Sequence, residues 1–173
     1  MDMDNDSSIN SIQSTLRERI IEHVFIGDAL RRLWQHRVFD VEVLRSEFDA
    51  GGYDLVMARG KIVRHIQFKT TKYDGKTREA NINLNLLAKP SGCVIWMIVN
   101  DDLSFHSFYY FGGRPGEPLP DITGFKIASH TKGNAQGTKT ERPNHRVVPR
   151  RYYEKLNSLD EVLERLFGDI PNC

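Results

Sequence analysis

Cysteine is nearly missing from this 173-residue chain: Cys93 lies inside an apolar run and Cys173 is the last residue. A disulfide framework is thereby excluded, and a reducing, cytoplasmic setting is expected. No CxxC pair or HxxxH spacing occurs, which removes the usual cradles for zinc. The patterns GxGxxG and GxxxxGK[ST] are also missing, and with them the glycine loops that hold dinucleotides and nucleoside triphosphates. No serine elbow, internal repeat or heptad run is found. No apolar stretch approaches the ~20 residues that span a bilayer, and the acidic start Met1 to Asp6 is unlike a secretory signal, so no membrane partner is expected. Net charge is only +1, so any attraction for a polyanion has to come from local clusters.

What remains is enough for one core. At 39% hydrophobic, the chain reads as a disordered acidic leader over 1–13 followed by a single domain over 14–173. Thr15 and Glu18 have capping-box spacing and predict a helix running to about His36. Its apolar residues cover most of the circumference, which predicts a well-buried helix. Glu22 shares an arc with Ile26, Ala29 and Leu33, an odd place for a solvated acid; pairing with Arg19 is the plainer account, and Glu18 is the competing candidate on a similar face. Val38 to Phe48 alternates as a half-buried strand, broken by 49–52. Gly51 and Gly52 either make a turn or allow the close backbone approach that a phosphate needs.

Tyr53 to Ala58 and Ile62 to Thr70 are rich in β-branched and aromatic residues, with a turn at Arg59-Gly60-Lys61, and predict a hairpin. Gln67 and Lys69 share one face of the second strand, and Asp54 falls opposite Gln67 or within two positions of it. A carboxylate, an amide oxygen and an ammonium thus gather at one end of a hairpin, in an apolar frame where lone charges are rarely left.

Residues 79–90 read either as a strand, by the alternation Asn81 to Leu86, or as a helix ending at Pro90. The continuous apolar run Gly92 to Val99 predicts a central strand covered on both faces, and Leu103 to Phe111 an antiparallel neighbour. His106 reads as structural. A last strand is expected within 121–128. Residues 129–151 form a long basic loop with six Lys or Arg against Glu141 alone, read equally as a nucleic-acid contact or a solvated surface. Ser158 and Glu161 form a second capping box, opening a closing helix that Gly168 ends.

On Tyr53-Asp54 and Gln67-Phe68-Lys69, the chain over roughly residues 14–100 resembles the PD-(D/E)XK nuclease superfamily in a Q-x-K variant. Tyr53 stands where the family usually has proline, and Gln67 where it usually has a second carboxylate. The resemblance implies a restriction-endonuclease-like α/β core, a mixed central sheet flanked by helices. It implies a Mg2+- or Mn2+-dependent endonuclease hydrolysing DNA phosphodiesters, with RNA not excluded. Asp54, Gln67, the Phe68 carbonyl and Glu22 would bind the metal, and Lys69 would complete the catalytic set. Lys72, Lys76, Arg78, Lys132, Lys139, Arg142 and Arg146 would hold nucleic acid. A nuclease-like module that binds nucleic acid or protein without cutting is the alternative, which the neutral Gln67 favours. A third reading is an accessory subunit, a homodimer joined through the aromatic strand Phe105 to Phe111.

Overall fold

The computed structural model describes residues 3–48, 51–131, 133 and 137–171. The chain is mixed α/β. A long helix, α1 (Met3–Gln35), leads into β1 (Val41–Leu44), β2 (Leu55–Arg59) and β3 (Ile62–Lys72). After β4 (Glu79–Asn83) and a 3-10 turn (Leu84–Ala88) come β5 (Gly92–Val99), β6 (Phe105–Gly112), β7 (Ile127–Ser129) and β8 (Glu141–Pro149). A second 3-10 turn (Arg150–Tyr152), β9 (Glu154–Leu156) and α2 (Leu159–Phe167) complete it.

The main sheet has the order β1-β2-β3-β5-β6-β9, with β3 and β5 parallel and the other neighbours antiparallel. All eight residues of β5 are buried, as its unbroken apolar run predicts. The hairpin forms with Leu55 opposite Ile66 and Arg59 opposite Ile62. A second sheet, β4-β8-β7, is antiparallel.

Alternation along β3 splits the core in two. Ile66 and Phe68 point to the face where α1 (Ile21, Phe25) and α2 (Leu163, Phe167) pack. The opposite face presents Val94, Trp96 and Ile98 of β5 to Ile82 and Val148 of the small sheet. Both helices therefore lie on one side, and the second sheet replaces the expected helix on the other. Burial pushes the free Cys93 thiol up to about 12, which makes it an inert core group; Cys173 lies outside the described residues.

Several expectations are corrected. The capping-box start at Thr15 is passed over, because α1 already spans Met3–Gln35 and takes in most of the expected leader. That helix is covered on one side only: Leu16, Ile20 and Trp34 are exposed. Of the two readings left open for residues 79–90 the strand forms, as β4, followed by a 3-10 turn; β4 finds its partner in β8, with Asn83 opposite His145. The second half of the expected basic loop is β8 itself, with Arg142 and Arg146 in the ladder to β7. The strand expected within 121–128 shrinks to β7, Ile127–Ser129, and is not the last, because β8 and β9 follow it. The closing helix carries its full capping box between Ser158 and Glu161, and Gly168 ends it.

Candidate functional site

Asp54 stands one residue before β2 and continues the ladder by other means. Its backbone N–H donates to the Ile66 carbonyl at 2.8 Å, and its Oδ2 accepts from the Phe68 N–H at 2.7 Å. The carboxylate is thus fixed against the strand segment that carries Gln67 and Lys69. Gly52, at φ +71°, turns the chain into this position, and a Cβ there would lie 2.9 Å from the Asn83 side chain. Asn83 fills that space, so Gly52 serves the turn and the packing of β4.

Gln67 and Lys69 point away from the helices, toward the second sheet. Gln67 is buried, and its Oε1 has no hydrogen-bond partner among the described residues. A buried unpaired acceptor costs about 1–3 kcal/mol, and this one lies one residue from the Phe68 N–H that holds Asp54. Lys69 is half-buried, and burial holds its ammonium below the usual lysine value. Asp54 and Glu18 pull back toward the charged form, while Arg142 adds to the depression. Arg142 bonds through Nη2 to Nε2 of His145 at 2.9 Å, which makes that imidazole nitrogen the acceptor. His145 is held below the ordinary histidine value by burial first, then by Arg142, Lys69 and His130.

Of the two helical acids, Glu18 is the one whose charge reaches Lys69. Glu22 is engaged elsewhere: its Oε2 accepts from Arg19 at 3.2 Å and from Arg45 at 3.3 Å. Those arginines also line a small polar pocket, about 130 Å³, with Ser46, Phe48, Tyr53 and Asp54. Asp54 therefore lies between two cationic groups, Arg19 with Arg45 on the helix side and Lys69 with Arg142 on the side of the second sheet. A larger cavity, about 490 Å³, is lined by Phe111, Arg114, Tyr152 and Glu164 and holds none of these residues.

The donors suit a hard cation in type: one carboxylate, one amide oxygen and the Phe68 backbone carbonyl are all oxygen, and Mg2+ takes one or two carboxylates with waters and substrate phosphate. They supply one formal negative charge. Among the described residues, no three His, Cys, Asp or Glu side chains gather to hold a metal, so an ion here would lean on the orphaned Gln67 oxygen.

The expected nucleic-acid contacts divide. Arg142 joins the site. Lys72 is paired with Asp101 at 2.7 Å, and Arg146 is tied to the carbonyls of Pro143, His145 and Thr123. Arg78 reaches the carbonyls of Gly75 and Thr77, while Lys76 and Lys139 are exposed. Lys132 lies outside the described residues. Arg45 and His145 were not legible as site residues. Arg45 follows an ordinary strand, and His145 gains its surroundings only when β8 is paired. No protein-family model, curated protein or solved structure matches the chain.

Proposed function

We propose that this protein is a metal-dependent nuclease that hydrolyses phosphodiester bonds of DNA at the end of the β2–β3 hairpin. The observation that carries the reading is the buried, unpaired Oε1 of Gln67 on the strand that Asp54 holds through the Phe68 N–H. Asp54, Gln67 and the Phe68 carbonyl would hold Mg2+ or Mn2+. When bound, such an ion supplies charge neutralisation at the phosphate and acidifies a coordinated water. The chain's own groups do the rest. Lys69, its ammonium weakened by burial, orients the attacking water and offsets negative charge developing on the phosphoryl oxygens. Arg19 and Arg45 line the pocket at Asp54 and hold a neighbouring phosphate, and Arg142 does the same across the site.

Plasmid and branched DNA incubated with Mg2+ or Mn2+ test this, with Asp54→Asn and Lys69→Met alongside. Asp54→Asn keeps an acceptor for the Phe68 N–H and removes only the charge. Metal-dependent cleavage lost in both variants supports the assignment; cleavage that survives either one refutes it.

A second reading rests on Glu22, whose Oε2 is shared by Arg19 and Arg45. A site with four cationic side chains and one anchoring carboxylate also suits a module that grips the phosphate backbone without cutting. Calorimetry separates the two: salt-sensitive DNA binding with no heat from Mg2+ or Mn2+ identifies the binder.

A further inference from the structure

α1 has two apolar faces. Ile21, Phe25, Ala29 and Leu33 recur every four residues and are buried against the main sheet. Ile12, Leu16, Ile20, Val24, Leu30 and Trp34 are all exposed. At 3.6 residues per turn these six fall within an arc of roughly 120°, centred about 180° from the buried row. Gly27 falls inside the same arc, and a Cβ there would meet nothing within 4 Å. A helix that is apolar all round is normally covered all round, and exposed apolar stripes mark association surfaces. Within the chain Phe39 touches Trp34 edge-on, ring centroids 4.9 Å apart, and the stripe is otherwise left exposed.

The stripe is also symmetric along its length. Ile12 and Trp34 are equidistant from His23, as are Leu16 and Leu30; Ile20 and Val24 are equidistant from Glu22. An antiparallel second copy would therefore bring Ile12 against Trp34, Leu16 against Leu30 and Ile20 against Val24, each contact occurring twice. This is the self-complementarity that a two-fold interface requires. The charges agree. Arg17 and Asp28 share one flank of the stripe and are symmetric about the Glu22–His23 bond, within half a residue of the other midpoints, so each Asp28, already paired with Arg31 at 2.6 Å, would meet Arg17 of the other copy.

We infer that α1 is a homodimerisation helix, pairing antiparallel with α1 of a second copy through this outer stripe. The stripe is about 33 Å long at 1.5 Å per residue, and a contact of that size lies toward the small end of specific interfaces. The dimer is therefore concentration-dependent. The surface differs from the aromatic strand β6, which is interior to the sheet between β5 and β9. It is also independent of the nuclease reading, since none of its stripe residues belongs to the candidate site.

Sedimentation equilibrium of the full chain, from low micromolar to submillimolar concentration, is the test. The wild type is expected to approach twice the chain mass, and Ile20→Glu with Val24→Glu to remain at one chain mass, with an unchanged far-UV spectrum. Arg17→Asp alone is expected to weaken association about tenfold, and adding Asp28→Arg to restore it. A wild type that stays monomeric throughout overturns the inference, as does a dimer that the double glutamate variant forms equally well. Should the glutamate variant fold poorly, the charge exchange still decides: a combined variant no better than Arg17→Asp overturns the antiparallel register.

Discussion

Arg64 and Lys69 lie on the same strand, on opposite faces of the same sheet, and their surroundings treat charge differently. Arg64 is fully buried, yet every arm of its guanidinium is used. Nε donates to the Leu166 carbonyl at 2.8 Å, Nη1 to Ser91 Oγ at 3.0 Å, and Nη2 to the carbonyls of Arg165 and Gly113 at 2.7 and 3.1 Å. Two of those carbonyls close the last turn of α2, where a cation also complements the helix dipole. On the other face, Lys69 answers to charges, and its neighbour Gln67 keeps an unpaired oxygen. A cation whose surroundings satisfy it completely is building material. A cation and an amide whose surroundings do not are where a ligand belongs.

The comparison breaks first at Arg64. Arg64→Met keeps the volume but leaves three carbonyls and a serine hydroxyl facing an apolar chain. The expected loss is about 3–5 kcal/mol in urea unfolding. Arg64→Lys is expected to recover little of it, since one ammonium does not reproduce the planar fork. A loss below about 1 kcal/mol for Arg64→Met would show that water replaces the guanidinium, and the contrast with Lys69 would vanish.

Lys69→Met is expected to do the reverse. Cleavage should fall by about 100-fold or more if the ammonium stabilises the transition state, while folding stability stays level or rises. The sign follows from burial: the folded-state pKa lies below the unfolded value of 10.5, so the charged form costs stability at neutral pH. That cost fades as pH climbs from the folded value through 10.5. Melting temperatures of the variant and wild type measured from pH 7 upward should therefore converge. A variant less stable than wild type at pH 7 would make Lys69 a structural residue like Arg64.

How much of this contrast the residues disclose depends on the sequence distance of the partners. The hairpin was readable because β2 and β3 are adjacent, and its register follows from a two-residue turn. β5 announces itself by eight apolar residues in a row, and α2 by Ser158 and Glu161. Ile62, Ile66 and Phe68 share a face with Arg64 at two-residue spacing, so alternation marks this charged residue as buried. β8 was hidden for a different reason. Pro143 and Asn144 are poor strand formers, and the segment is held by β4, far back in the chain, so local propensity gave way to a distant partner. The site was half legible on the same grounds. Asp54, Gln67 and Lys69 follow from the hairpin and Glu18 from its helix face near Glu22, whereas Arg45 and His145 join through packing against α1 and pairing of β8 that no local pattern encodes. The outer stripe of α1 is visible in its composition, which predicts burial, yet the structure leaves it exposed because a helix lying on one sheet covers only one of its sides.

Gln67 sharpens the contrast at a smaller scale. Gln67→Met has nearly the same shape and removes the orphaned acceptor, so stability is expected to rise by about 1–2 kcal/mol. Heat from Mg2+ titration should disappear in the same variant. Opposite signs for stability and metal binding are what a ligand-waiting oxygen produces. A destabilised Gln67→Met protein would mean that the amide already has a partner in solution.

His145 gives the finest test, because it reports the field of Lys69 without altering the site. Burial, Arg142, Lys69 and His130 all disfavour its charged form, so it should titrate below 6.5 when followed by NMR. Its contribution to stability is complete above 6.5 and is lost as pH falls toward the folded value, since the unfolded chain takes up the proton first. Lys69→Met deletes one cation from this neighbourhood and should move the His145 midpoint upward, toward 6.5, whereas Arg64→Lys, on the other face of the sheet, should leave it where it was. A midpoint that ignores Lys69→Met would place the ammonium outside the reach of β8. The second sheet would then be a lid over the apolar core with no share in the candidate site.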